Sequence, residues 1–170
     1  MKTERTFSRE GYLRENYHYF HLRDTAGQER DFHFHDFDKI VLLISGGVDY
    51  AVEDKVYRLR PWDVLLVRHH MIHKALIDKS EPYERIIIYL DRKYFDRVMP
   101  GAGLLDCFER AGKTGCHLLA PDAGQREGLM AALDAYERSL TDKDFGAQAM
   151  REAGIPVLET LVCKEGLGIT

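Results

Sequence analysis

The feature of this sequence that most constrains its fold is a series of short β-strand patterns that stops near Leu90. The predicted strands span residues 17–23, 39–44, 48–52, 56–60, 64–67, 73–77 and 83–90, and turn residues such as Gly46 and Pro61 lie between them. Segment 39–44 is almost wholly apolar, which is typical of a strand covered on both faces. Many short strands at nearly regular spacing indicate a β-sandwich or β-barrel.

After Asp91 the sequence changes to helical patterns. The change divides the chain into a predicted barrel, residues 1–91, and a helical appendage, residues 92–170, which we expect to pack on the barrel as one structural unit. Helices are predicted over residues 94–99, 104–110, 121–140 and 145–153. Asp122 is placed to cap the third of them, because its carboxylate can accept hydrogen bonds from the first helical N–H groups.

The longest predicted helix carries an apolar stripe at 4-3-4 spacing, which comprises Leu129, Leu133, Tyr136 and Leu140. We interpret the stripe as a homodimer interface, formed through the helices around residues 121–153; packing onto the outer wall of the barrel is the alternative. Gly154 and Pro156 are expected to interrupt the last helix, because proline removes a backbone donor and clashes with the preceding turn. Residues 154–170 receive no predicted role.

Composition and charge exclude several classes of function. With 170 residues, of which 45% are hydrophobic, the chain is expected to form one domain with a true core. No apolar run approaches the roughly 20 residues of a membrane span, and residues 1–14 lack the apolar core of a signal peptide. The net charge of −4 comes without a basic face, so we expect no DNA binding by this chain alone. Cys107, Cys116 and Cys163 are too scattered for a disulfide framework, and a cytoplasmic location is expected.

The histidines supply the main chemical signal of the sequence. His33 and His35 are two residues apart, so on a strand both side chains point to one face. His73 opens a separate predicted strand. A barrel can bring these three imidazoles onto one inner wall, where neutral imidazole nitrogens suit a divalent transition metal such as zinc, iron, nickel or manganese.

The spacing of these residues resembles the two sequence motifs of the cupin family. The first motif is matched by Gly27, His33, His35, Lys39 and Gly46, and the second by Trp62, Arg68, His70 and His73. Lys39 stands where the family normally has glutamate, and of the second motif only His73 keeps the usual residue. The resemblance implies a mainly β fold, a cupin or jelly-roll β-barrel followed by C-terminal α-helices.

Within the cupins, residues 33–91 most resemble the N-terminal sensor domain of AraC-type transcriptional regulators. The segments that carry this resemblance are His35-Asp36-Phe37, Ile44-Ser45-Gly46, Leu59-Arg60-Pro61-Trp62-Asp63, Ile72-His73-Lys74 and Pro82-Tyr83-Glu84-Arg85. The resemblance implies helices that dimerise, a continuous helix after Ala153 and a downstream helix-turn-helix domain. That domain is not among these 170 residues, so an excised sensor, a truncated product and a stand-alone relative all stay open.

The predicted pocket combines the histidines with other polar or aromatic strand residues. Its candidate ligand-binding residues are His33, His35, Lys39, Tyr50, Arg58, His73 and Tyr89, and its candidate metal ligands are His33, His35 and His73. The histidines are either metal ligands or polar residues of a ligand pocket. Lys39 favours the second alternative, because an ammonium group repels a dication, and lysine with imidazole is suited to a carboxylate or a phosphorylated sugar.

Two functions follow from these observations. The first is a small-molecule-sensing, dimerising module of an AraC-type regulator, which binds a small polar ligand, a sugar or an organic acid, or a metal inside the barrel. The second is a stand-alone, metal-dependent cupin enzyme of the dioxygenase or isomerase type, in which three histidines leave coordination positions open for substrate. We favour the first, non-enzymatic function.

Overall fold

The structure is a computed structural model that describes residues 8–25 and 30–168. Gly27 of the first motif lies outside the described residues. The strands are β1 (Ser8–Arg9), β2 (Tyr17–Asp24), β3 (His33–Phe34), β4 (Asp38–Ser45), β5 (Val48–Val52), β6 (Lys55–Leu59), β7 (Val64–Val67), β8 (His73–Ile77), β9 (Tyr83–Leu90) and β10 (Leu118–Leu119). The helices are α1 (Arg92–Val98), α2 (Asp106–Thr114), α3 (Ala123–Thr141) and α4 (Ala147–Leu167).

The strands form two five-stranded sheets. The first sheet has the order β1-β3-β8-β5-β6, and the second has the order β10-β7-β4-β9-β2. Every pairing is antiparallel except that of β1 with β3. The prediction of a mainly β, cupin-type barrel followed by helices is confirmed.

The central strand β4 contributes to two separate cores because its side chains alternate between the faces of the second sheet. Ile40 and Leu42 belong to a core shared with the helices. Val41 and Leu43 belong to a core inside the barrel. The apolar character of segment 39–44 therefore reflects burial on both faces, as the sequence predicted.

Helices α2, α3 and α4 cover the outer face of the second sheet. Buried residues of all three, among them Phe108, Leu133 and Ile155, pack in the core that includes Ile40 and Leu42. Helix α3 begins at a capping box, in which the Asp122 carboxylate accepts a hydrogen bond from the backbone N–H of residue 125 at 2.9 Å. The predicted cap is confirmed.

The expected break in the last helix is wrong, since α4 runs without interruption through Gly154 and Pro156. Gly154 serves close packing instead: a Cβ atom there would lie 2.4 Å from Cδ2 of Tyr136 on α3. The missing donor of Pro156 is tolerated because the buried side chains of Ile155 and Leu158 hold this part of α4 against the core.

The apolar stripe of α3 packs within the chain and does not form an exposed interface. Leu129, Leu133 and Tyr136 are buried in the core beneath α3, whereas Leu140 is exposed. The interpretation of the stripe as the dimer surface is therefore wrong for Leu129, Leu133 and Tyr136, which pack against the outer wall of the barrel. A homodimer through other faces of these helices stays a prediction.

None of the described helices combines the length and the apolar character that crossing a membrane requires.

Candidate functional site

The structure brings the three predicted histidines together at one end of the barrel interior. His33 on β3 pairs in register with His73 on β8, and His35 follows β3 directly. The ring centroids of His33 and His73 lie 4.5 Å apart, and that of His35 lies 4.9 Å from each of the other two. One nitrogen from each ring lies within 4.8 Å of the other two, a spacing that could hold a metal ion.

Backbone carbonyls orient all three imidazoles. Nδ1 of His33 lies 2.7 Å from the carbonyl oxygen of Asp31, and Nδ1 of His73 lies 2.9 Å from that of Met71. Nδ1 of His35 contacts the carbonyl oxygen of Glu10. A carbonyl only accepts hydrogen bonds, so each Nδ1 carries the proton and each Nε2 keeps a free lone pair.

The surroundings of these lone pairs show whether the three histidines fit a metal ion. Nε2 of His35 and of His73 are buried and, among the described residues, have no hydrogen-bond partner. Buried polar atoms are normally paired. Imidazoles oriented by a hydrogen bond at the second nitrogen are also the usual arrangement of histidine ligands. The residues therefore fit a divalent transition metal.

The histidines are neutral near pH 7. Burial, followed by the charge of Lys39, lowers the pKa of His35 to about 4 and that of His73 to about 2. Burial also lowers the pKa of His33. Neutral imidazole is the form that coordinates metal ions and accepts hydrogen bonds from ligand hydroxyl groups.

The histidines line a cavity of about 330 Å³ inside the barrel. This volume is at the lower end of the range for small-molecule sites. The lining residues are Asp24, Arg30, His33, His35, Lys39, Tyr50, His73, Ala75, Ile77, Tyr83, Arg85, Ile87 and Tyr89. The predicted residues Lys39, Tyr50 and Tyr89 thus share one cavity with the three histidines.

Lys39 is the lining cation without a carboxylate partner. Its residue is 7% exposed, and burial lowers the pKa of its amine. Its Nζ lies 5.5 Å from the ring centroid of Tyr50. Within the part of the chain that the structure describes, no side chain makes an ion pair with Lys39.

The other cations of the cavity have partners. The Arg85 guanidinium donates to the Asp24 carboxylate at 2.8 Å and to the carbonyl oxygen of Tyr83 at 3.0 Å. Arg30 donates to Glu10 at 3.2 Å. The positive charge available to a ligand inside the cavity therefore belongs to Lys39.

Arg58 was predicted as a pocket residue, and the structure corrects this. It lies on β6, at the edge of the first sheet, where its exposed guanidinium pairs with Asp49 at 3.1 Å. Trp62, the first residue of the second motif, packs against the core on the helical side. Arg58 pairs with Asp49 across the two strands, whereas Tyr57 pairs with the cavity residue Tyr50, so Arg58 lies on the outer face of the first sheet.

Sequence reasoning missed Tyr83, Arg85 and Ile87 as lining residues. They share a face of β9 with Tyr89, since side chains two residues apart point the same way. The two-residue alternation along β9 predicts that these side chains face the cavity if Tyr89 does. Asp24 and Arg30 carried no comparable signal.

Comparison with known proteins gives one family match. The family described as the AraC-like ligand binding domain matches residues 15–156. None of the curated proteins searched matches this chain.

Solved structures with a similar fold come from several bacteria. A conserved Streptococcus pyogenes protein of unknown function is 16% identical, with a TM-score of 0.41 over 46% of this chain and 68% of its own. A cupin-2 domain protein from Shewanella frigidimarina is 18% identical, with a TM-score of 0.39 over 48% and 76%. An oxalate decarboxylase variant from Bacillus subtilis is 18% identical, with a TM-score of 0.40 over 47% and 22%.

Proposed function

Because this chain belongs to the family of AraC-like ligand-binding domains, we propose that it is the small-molecule-sensing, dimerising module of an AraC-type transcriptional regulator. Its ligand is a small organic acid that enters the barrel cavity. The observation that carries this proposal is the buried Lys39, which has no ion-pair partner among residues 8–25 and 30–168, beside three neutral histidines. A sugar that carries an acidic group belongs to the same ligand class.

An organic acid matches the charges and hydrogen-bonding groups of the cavity. A buried ammonium without a counter-ion costs free energy, which a ligand carboxylate would offset by a charge-assisted hydrogen bond. Hydroxyl groups of the ligand could donate to the free Nε2 lone pairs of His35 and His73. The Tyr50 and Tyr89 rings supply apolar surface for the carbon skeleton.

A divalent transition metal would be held by His33, His35 and His73. When bound, such an ion acts as a Lewis acid and leaves coordination positions for ligand oxygen atoms. Lys39 would then pair with the remaining negative charge of the ligand. In this arrangement Lys39 replaces the anionic fourth ligand that the cupin motif normally supplies, and the site is suited to holding an anion.

The signal would pass from the cavity to the helices along β4. Lys39 faces the cavity, and its neighbour Asp38 is buried on the other face, where it accepts a hydrogen bond from Arg92 of α1 at 3.1 Å. A ligand that binds one position of β4 more tightly shifts the equilibrium between two helix arrangements. Exposed apolar residues of the helical layer, such as Met150 and Val157, are available to a second copy of the chain.

A metal-dependent cupin enzyme is the second candidate function. The favouring observation is the orientation of all three histidines by backbone carbonyls, which leaves three convergent nitrogen donors. Turnover of a small acid by the metal-loaded protein, absent from the His33→Ala/His73→Ala variant, would establish it.

Thermal shift with a panel of mono- and dicarboxylic acids, sugar acids and neutral sugars tests the sensing proposal. A binder at 100 times its Kd raises the free energy of unfolding by about 2.7 kcal/mol, which is a readily measured shift in Tm. Lys39→Met should abolish the shift by acids, and Arg58→Met, outside the cavity, should leave it intact. Binding of neutral sugars alone, or binding that survives Lys39→Met, would contradict the assignment of an acid.

Elemental mass spectrometry of protein prepared without chelators or affinity tags tests the metal. Near-stoichiometric zinc, iron, nickel or manganese that the His33→Ala/His73→Ala variant loses would establish the histidine site.

Sedimentation at micromolar concentration tests the dimer, and a monomer with or without ligand would contradict the dimerising module.

A further inference from the structure

A second group of potential ligands lies on the opposite face of the sheet from the cavity, between α2 and α4. Cys107 is at the start of α2, and Glu159 and Cys163 are one helical turn apart on α4. The Cys107 thiol lies 3.7 Å from Oε1 of Glu159, and the backbone N–H of Cys107 lies 3.3 Å from the Cys163 sulfur. One ligand atom from each residue lies within 4.8 Å of the other two.

The carboxyl group of Glu159 is the unusual member of this cluster. Glu159 is 1% exposed, and its Oε2 has no hydrogen-bond partner among the described residues. Burial and the neighbouring Cys163 raise the pKa of this carboxyl group well above its ordinary value. Leu158 and Val162 beside it are apolar and buried, so packing by itself would be served by an apolar side chain at less cost in free energy.

We propose that Cys107, Glu159 and Cys163 form a binding site for a divalent, thiolate-preferring cation of the zinc class. The cation replaces three protons, two from the thiols and one from the carboxyl group, which are released to solvent. Two thiolates and one carboxylate then offset the charge of the ion and give the unpaired oxygen a partner. No electrons are transferred in this exchange.

The donor set separates this site from the histidine cluster. Two sulfur donors disfavour magnesium and calcium, which require oxygen ligands, and favour zinc or its cobalt and cadmium substitutes. A cavity of about 210 Å³ that Cys107 shares with the exposed Cys116 offers an entry path toward the cluster. An ion bound here would connect α2 to α4, the helices that cover the second sheet.

Cobalt(II) titration of the reduced, full-length chain tests the proposal. Thiolate ligands give cobalt an intense charge-transfer absorption in the near ultraviolet that histidine ligands do not give. At saturation we expect the band intensity of one thiolate-bound ion per chain, with the same intensity in His33→Ala/His73→Ala and in Cys116→Ser. The band should be lost in Cys107→Ser/Cys163→Ser, which retains cobalt only at the histidines.

Two further measurements do not depend on the folding of the double variant. Zinc should slow alkylation of Cys107 and Cys163 in the wild-type chain at least tenfold, while Cys116 reacts at its original rate. Glu159→Gln keeps the side-chain volume and both thiols, so the cobalt band should persist with affinity weakened at least tenfold. Absence of the band in folded wild type, its loss in Cys116→Ser, or unchanged affinity in Glu159→Gln would overturn the proposal.

Discussion

The two faces of the second sheet have different surroundings, although the same strands form both. The outer face joins the helices in an apolar core that contains Ile40, Leu42 and Phe108. The inner face carries Lys39 and Tyr89 into a cavity where some buried polar atoms have no partner among the described residues. The difference predicts that the fold tolerates substitutions in the cavity better than substitutions in the apolar core under the helices, because buried polar atoms without partners cost free energy.

Phe108→Ala compared with Lys39→Met tests this difference most strongly. Phe108 is fully buried under the helices, so its truncation should lower the free energy of unfolding by about 3–5 kcal/mol. Lys39→Met removes an unpaired buried cation and should leave that free energy unchanged or raise it by about 1 kcal/mol. Urea denaturation measures both, and a large loss in Lys39→Met would show that the cavity lining also stabilises the fold.

Acid should lower the free energy of unfolding of the metal-free protein because of the histidines that line the cavity. The lowered pKa values of His35 and His73 mean that the unfolded chain binds protons first, at its ordinary pKa near 6.5. The contribution of these two neutral histidines to the free energy of unfolding is therefore fully present above about pH 6.5. It is lost as the pH falls toward their pKa values in the folded protein. Each histidine should remove about 2 kcal/mol between pH 7 and pH 5.

Urea denaturation at these pH values checks the acid effect, with His35→Gln/His73→Gln as the comparison. The variant should lose less stability between pH 7 and pH 5 than the wild type. Equal losses in the two proteins would place the acid-sensitive groups elsewhere.

Gly154→Ala tests how closely the helices pack on the outer face. The added Cβ would lie 2.4 Å from the buried Tyr136 ring, so the two helices must separate. We expect a loss of about 1–3 kcal/mol in the free energy of unfolding, despite the higher helix propensity of alanine. Gly128→Ala, where a Cβ meets nothing within 4 Å, is the matched control on α3 and should stabilise slightly. A stabilised Gly154→Ala variant would contradict the described packing.

His21 should show the opposite pH dependence and the smallest effect. Burial disfavours its charged form, but hydrogen bonds to Glu84 at 2.8 Å and to Glu137 at 2.6 Å raise its pKa overall. Its contribution is therefore complete below pH 6.5 and is lost as the pH rises through the raised folded value. Because the ring is more than a third exposed, the contribution should stay below about 1 kcal/mol.

The measurement for His21 is the stability of His21→Gln at pH 6 and pH 9. The variant should be weaker than wild type at pH 6 and nearly equal to it at pH 9. A deficit that grows with pH would give the contribution the wrong sign.

The sequence predicted the strands well because their signals are local. Segments 48–52, 64–67, 73–77 and 83–90 coincide with β5, β7, β8 and β9 in the structure. Side chains that alternate along each strand, and the turn residues between strands, predict these boundaries without tertiary contacts. The same period of two, with the cupin resemblance, brought His33, His35 and His73 to one face.

Other features depended on contacts between distant segments, which the sequence does not display. The helix through Gly154 and Pro156 persists because α3 and the barrel hold it in place, against the local preference of proline. Arg58 falls outside the cavity because the register of β6 with β5 places it opposite Asp49, on the outer face of the first sheet.

By itself, then, the sequence determined the barrel, the positions of seven of the ten described strands and the histidine cluster, because periodicity and motif spacing are properties of neighbouring residues. Only the tertiary structure decided which side chains lack partners. Lys39 has no ion-pair partner in the part of the chain that the structure describes, and Glu159 lies beside two thiols from α2 and α4. Whether a buried polar or charged group is paired depends on residues far apart in the chain. Only the burial and the distances in the folded structure therefore assign its partners.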